Sequence, residues 1–274
     1  MDLLSSRDEK AVLIAGHRGN WGGSIVPNTI GAYEAALKLG ADIIESDILM
    51  SKDGVFFAYH SGEEKGTFHI DRSLYDMTAD EILGLSFYNS MYEKVDEKVN
   101  RMDDVLDHFK GRCFFNIDRG WKRGWTNTLT YLRNRKMDDQ LILKCPPEKE
   151  LMQAVEEIVP NMMYMGIIRT VEDYELVRSF KRLNTVAVEI NYNTLDEPVA
   201  SEAFLDMVHR DGLLAWANAL KINSAKNLAG GLDDNVSIIH GPEYGWGKLI
   251  DKGYDIIQTD WPSLVVDYIK TKRS

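Results

Sequence analysis

Nine short apolar runs, most of them separated by helical patterns, restrict how this 274-residue chain can fold more than any other feature. They are VLIAGH (12–17), DIIESDILM (42–50), VFFAYH (55–60), CFFNID (113–118), LILKC (141–145), MYMGII (163–168), TVAVEI (185–190), LLAWAN (213–218) and DIIQTD (255–260). Between Met50 and Val55 stand only Ser51, Lys52, Asp53 and Gly54, and Asp-Gly in so short a link predicts a hairpin. VFFAYH then runs antiparallel to the strand before it. The other eight runs alternate with helices, which predicts parallel strands with crossover connections. Eight of them suggest an α/β fold of the closed (β/α)8 TIM-barrel type, as one domain over residues 1–274. The segment 61–100 has no good strand. It reads as a small insertion after the second strand and its hairpin, with an aromatic, Met-containing stretch at Phe87–Tyr92.

Helix signals agree with this order. Asn28 and Thr29 are candidate N-caps for a helix over 30–39 that Gly40 ends. Thr78 with Glu81 predicts a capping box opening a helix at Ala79. Pro146-Pro147 before Glu148 suits the first turn of a helix running to about Ile158. Helical spacing also covers 171–180 and 200–210.

The formal net charge of −11 is spread without a long block or basic stripe. Such a chain is a poor ligand for nucleic acid or an anionic membrane. MDLLSSRDEK has no apolar signal core, and no run approaches the roughly 20 apolar residues of a membrane span. The cytoplasm is the default location, and no stable membrane insertion is expected. Cys113 and Cys145 sit within apolar runs and read as buried free thiols. No feature sets an oligomeric state.

An acidic chain that takes a phosphate ligand must concentrate positive charge locally, and a metal ion with one or two Arg or Lys would do so. Glu45 and Asp47 lie two apart on one run, so they share a face of the strand. In a parallel barrel the active site forms at the C-terminal strand ends, and Asp118 ends the next barrel strand in the equivalent place. Three carboxylates from adjacent strands can hold one hard divalent cation, Mg²⁺ or Ca²⁺. His17 ends the first strand, and the hairpin returns His60 beside Glu45. Two imidazoles flanking a metal can divide proton removal from proton donation. Arg18 offers a planar fork for phosphate oxygens. Lys144 in LILKC and Glu189 in TVAVEI are charged residues in apolar strands, candidates for the barrel mouth. Trp216 and Trp261 sit at strand ends, where either could wall a substrate pocket. His69, His108, His209 and His240 have no partner spacing. No zinc spacing and no Gly-rich phosphate loop are present.

These segments resemble the glycerophosphodiester phosphodiesterase family. The resemblance is carried by HRG (17–19), Asn28-Thr29 with Ala32, Ala35 and Ala36, GADIIESDILMSKDG (40–54) and His60. It continues in RMDDVLDHFKGRCFFNID (101–118), LLAWAN (213–218) and GYDIIQTDWP (253–262). It implies a (β/α)8 barrel in which Glu45, Asp47 and Asp118 hold Mg²⁺ or Ca²⁺. It further implies that His17 and His60 act as acid and base and that Arg18 binds phosphate. A small glycerophosphodiester would yield glycerol 3-phosphate and an alcohol. The chain departs from the family pattern at Val26-Pro27-Asn28-Thr29, where Pro-Glu-Asn-Thr is usual so that the Glu is lost at Pro27, and at Ser61, where Asp is common. Asp118 stands for a Glu, and Gly120 for a Lys that would contact the phosphate or metal ligands; Lys144, one strand later, or Arg119 would take over that contact. Two rival expectations are a lipid-directed phosphodiesterase of the phospholipase or sphingomyelinase D kind, motivated by Phe87–Tyr92, and a non-catalytic metal- or phosphate-binding barrel, motivated by Gly120.

Overall fold

The computed structural model describes residues 2–89, 91–223 and 226–273; Ser90, within the aromatic stretch 87–92, lies outside the described residues. Nine strands are present: β1 (Leu13–His17), β2 (Ile43–Met50), β3 (Phe56–Ala58), β4 (Phe114–Asp118), β5 (Leu141–Cys145), β6 (Met163–Ile168), β7 (Thr185–Ile190), β8 (Leu214–Asn218) and β9 (Ile256–Thr259). β1 pairs in parallel with both β2 and β9, which closes an eight-stranded parallel barrel. β3 lies antiparallel on β2 outside the closed ring. The expected (β/α)8 barrel, including its hairpin, is therefore the fold.

Side-chain alternation divides each strand between two environments. Leu13, Ile43, Phe114, Ile142, Met163, Leu214 and Ile256 point inward and fill the lower barrel. Outward-facing residues such as Ile14, Ile44, Phe115 and Leu143 pack beneath the surrounding helices. Leu3 joins the inner cluster from a helix, Leu3–Lys10, that the sequence reading did not assign. Asp2 caps that helix and Arg7 pairs with Asp255 at 3.1 Å. Burying one leucine contributes about 1.5–3 kcal/mol, enough to dock a short helix that would not persist alone.

The other helices largely follow their predicted caps. Thr29 accepts from the Ala32 amide to open Ile30–Lys38, and Thr78 and Glu81 form the expected capping box. Pro146-Pro147 precedes its helix instead of forming the first turn; Glu148 is the N-cap of Lys149–Ile158. The free thiols Cys113 and Cys145 are buried on β4's approach and on β5. Within 61–100, two short helices and a 3-10 turn surround a small apolar core of their own. It is built on Leu49, Phe57, Phe68, Leu74, Ile82 and Phe87. Val26 belongs to this core, and Pro27, which stands where the family has a Glu, is partly buried next to it. None of the described helices is long and apolar enough to cross a membrane.

Candidate active site

β1 ends in a turn that the backbone makes only with glycine. Arg18 adopts φ 56° and Gly19 φ 85°. A Cβ on Gly19 would stand 2.5 Å from the carbonyl carbon of Ala32 and 2.7 Å from its oxygen. Gly19→Ala is expected to cost roughly 2–4 kcal/mol, combining overpacking with a disfavoured φ, and denaturant titration would read it. This turn aims the Arg18 amide at Glu45, to whose Oε2 it donates at 3.1 Å. The guanidinium Nε lies 3.2 Å from Asp47 Oδ2, and Nη1 donates to both oxygens of Glu63 at 2.9 and 3.0 Å.

Register brings the three candidate metal carboxylates together. His17 is aligned with Glu45 across β1 and β2, and Asp47 with Asp118 across β2 and β4. One oxygen each from Glu45, Asp47 and Asp118 lies within 4.8 Å of the others. Burial, together with the neighbouring Asp47, pushes the Glu45 carboxyl up to about 7. Burial also opposes ionisation of Asp47, but Arg18, His60 and a 2.9 Å bond from Asn28 Nδ2 hold it below the usual range. A buried carboxylate crowded by like charge is the setting a hard cation relieves. The donor set therefore fits a divalent ion.

Each histidine has a carboxylate beside Nδ1, but only His17 is hydrogen-bonded to it. His17 Nδ1 lies 2.8 Å from Asp260 Oδ1, and His60 Nδ1 lies 3.1 Å from Glu63 Oε1. A carboxylate on Nδ1 favours the tautomer with its proton there and leaves Nε2 for chemistry. Burial disfavours the His17 imidazolium, yet the Asp260 bond and the Glu45 charge outweigh it and hold His17 above the usual imidazole range. Burial dominates at His60 and holds it below that range. Asp260 is itself positioned: its amide donates to Asp234 Oδ2 at 2.9 Å, and the same buried carboxylate accepts from Thr259 Oγ1 and Trp246 Nε1 at 2.7 Å each.

Neither Asp260 nor Glu63 was singled out from sequence, although signals existed. Asp260 ends DIIQTD as Asp118 ends CFFNID. Glu63 follows His60 within HSGEE and supplies the carboxylate that Ser61 lacks.

His17, Arg18, Glu45, Asp47, His60, Glu63 and Asp118 line one cavity of about 770 Å³ at the C-terminal end of the barrel. Lys144 and Glu189 line it. The Lys144 ammonium is buried, 3.0 Å from both Asp118 and Glu189 and 4.0 Å from Glu45. These acids hold it well above its usual range despite burial. It is the counter-ion of the carboxylate floor, a different setting from the phosphate contact expected.

Trp216 must be corrected. It is fully buried in the inner barrel core, with Nε1 donating to Asn218 and Gln258. It lies one layer below the mouth, and Asn191, Asn218 and Gln258 line the cavity instead. Trp261 is half exposed and lies outside the cavity lining. At Gly120 the chain has already left the strand into a 3-10 turn, with Arg119 at φ 63°. A Cβ on Gly120 would meet Thr128 and Ile48 at 2.8 and 2.9 Å, outside the barrel wall. No lysine there could reach the cavity, whereas Arg119 does line it. Of the aromatic stretch, Phe87 is buried in the 61–100 core, while Met91 and Tyr92 are 64% and 77% exposed. His108 and His209 pair with Glu34 and Asp255, and His69 stacks on Tyr88.

Comparison with known proteins agrees with this geometry. A family model described as a domain of unknown function matches residues 163–269. A glycerophosphodiester phosphodiesterase of Bacillus subtilis is 34% identical over 116 residues, covering 39% of each chain. One of Caldanaerobacter subterraneus is 26% identical over 172 residues, covering 62% of each. The matched segments thus span less than two thirds of these relatives' lengths. A solved glycerophosphoryl diester phosphodiesterase of Parabacteroides distasonis superposes with a TM-score of 0.78 at 17% identity, over 98% of this chain and 91% of that one. A phosphodiesterase of Oleispira antarctica, solved with the product sn-glycerol-3-phosphate, does so with 0.68 at 15% identity, over 94% and 96%. The resemblance read from the sequence motifs is thus met again in both sequence and fold.

Proposed function

We propose that this chain is a metal-dependent glycerophosphodiester phosphodiesterase that releases glycerol 3-phosphate and an alcohol. One observation carries the reading: two imidazoles, each with a carboxylate oxygen within about 3.1 Å of Nδ1, flank a cluster of three carboxylates in one cavity. Glu45, Asp47 and Asp118 would hold Mg²⁺ or Ca²⁺. Such an ion supplies Lewis-acid polarisation of the phosphoryl oxygens and neutralises charge that develops on them. His17 and His60 divide the proton work. One takes the proton of the attacking hydroxyl or water at its Nε2, and the other gives a proton to the departing alkoxide. Arg18 binds a phosphate oxygen, oriented by Asp47 and Glu63. Glu189 holds Lys144 at the cavity floor. The chain acts as one unit, with 61–100 contributing Glu63 to the cavity. The buried thiols Cys113 and Cys145 suit a reducing compartment such as the cytoplasm.

A second reading, a lipid-directed phosphodiesterase, draws on a groove of about 300 Å³ bounded by Trp21, Ile25, Tyr88 and Tyr92. Its exposed aromatic rings could meet acyl chains. A third, non-catalytic reading does not account for two histidines in one cavity, each placed beside a carboxylate.

Glycerol 3-phosphate release from a panel of glycerophosphodiesters tests the proposal. Release is expected with Mg²⁺ or Ca²⁺ and is expected to vanish in EDTA. Release of lysophosphatidic acid and the head-group alcohol from lysophospholipid, with no glycerol 3-phosphate from the water-soluble panel, would favour the second reading. No release from any substrate by folded, cation-bound protein would favour the third.

A further inference from the structure

We infer that the alcohol released at this site carries an anionic group of its own, a phosphate or a carboxylate; the inference rests on the proposed phosphodiester chemistry and names its substrate class. A glycerol phosphate occupies only a fraction of a 770 Å³ cavity, so the remaining space belongs to the leaving group. Away from the carboxylate floor, four cationic side chains from separate stretches of three loops line that space: Arg119 and Lys122 after β4, Arg169 after β6 and Lys226 after β8. In a chain with net charge −11 this convergence is local and opposite in sign.

The cations are not spent on neighbours. Arg169, Lys122 and Lys226 have no carboxylate partner among the described residues, and Arg119 donates to the Ser61 carbonyl at 3.3 Å. The acids on the same rim are Glu148 and Asp173. Asp173 already accepts from the amides of Arg169 and Thr170 at 2.8 and 3.1 Å. A cationic alcohol such as choline would need an aromatic face or free carboxylates. The aromatic ring lining this part of the cavity is Trp121, and the Lys122 ammonium lies 4.1 Å from its centroid. A second cation would meet that charge first. An anion meets Arg and Lys donors suited to charge-assisted hydrogen bonds.

Two matched pairs isolate the added anion: glycerophosphoinositol against its 4-phosphate, and glycerophosphoethanolamine against glycerophosphoserine. Wild type is expected to favour the more anionic member of at least one pair by 10-fold or more in kcat/KM. The pair that responds tells phosphate from carboxylate. Arg169→Gln combined with Lys226→Gln is expected to reduce that ratio by at least 5-fold, and added salt to reduce it further. Ratios near 1 in wild type, or ratios that the double variant leaves in place, overturn the inference. Calorimetry of inositol 4-phosphate and of serine against wild type and the double variant needs no turnover. Binding of either that the variant loses supports the subsite even if no diester is hydrolysed, which would then fail the phosphodiesterase reading alone. Absence of binding together with absence of turnover overturns both.

Discussion

In the His17→Ala variant, kcat/KM for glycerophosphodiester hydrolysis is expected to fall by about 10²–10⁴-fold, the usual contribution of a positioned acid or base. Folding should be little changed. Asp260, which loses its partner, is one-third exposed and can be hydrated in place. His60→Ala should fall comparably, because its ring lines the same cavity with Glu63 Oε1 3.1 Å from Nδ1. The double variant should lose much less than the product of the two single losses. Groups that act as a unit on one transition state are not additive, and the remaining rate would come from Arg18, the carboxylate site and binding. Cation binding, followed by calorimetry, should survive in both single variants, since neither imidazole is assigned to the ion. Single-turnover release of glycerol 3-phosphate is the deciding readout. A rate within threefold of wild type would remove His17 from the reaction, while loss of cation binding would make it a ligand.

The parts of this site that could be read from the chain are those set by local geometry. Alternation along one strand places Glu45 and Asp47 on a single face, and a four-residue Asp-Gly link fixes the hairpin that returns His60. Those inferences need nothing beyond neighbouring residues. The partners of the histidines do not have that character. His17 and Asp260 are 243 residues apart and meet because β1 closes against β9, so their pairing exists only once the barrel is complete. Glu63 is local, but its use depends on Arg18 arriving from another loop. Trp216 failed for a related reason. A strand end gives the direction of a side chain but not its depth, and in β8 the mouth is reached two residues later, at Asn218. Lys144 was legible as a charged residue in an apolar strand, yet its acidic neighbours come from β2, β4 and β7. The helix Leu3–Lys10 escaped because two adjacent leucines make no periodic pattern, and its stability comes from docking Leu3 and pairing Arg7 with Asp255.

Lys144→Met should have the largest effect on stability. The substitution keeps most of the side-chain volume but removes a buried ammonium that faces Asp118, Glu189 and Glu45. Taking one partner from a buried ion pair leaves uncompensated charge and costs about 3–5 kcal/mol. Glu189 suffers most, since Lys144 is the largest influence holding its carboxyl below the usual range against burial. Denaturant titration in EDTA should show that loss. Adding Mg²⁺ or Ca²⁺ should recover more stability in the variant than in wild type. The cation then supplies positive charge the lysine no longer provides, and ligand binding stabilises a fold in proportion to the logarithm of its occupancy. Activity separates two roles for the residue. If the ammonium also reaches the phosphate during reaction, saturating cation should restore stability while kcat/KM stays down by roughly 10²-fold. If it serves only as the counter-ion of the floor, stability and activity should return together. Equal stability of variant and wild type in EDTA would contradict the geometry of the floor itself, because Glu45, Asp118 and Glu189 would then be tolerating one another without the cation that lies between them.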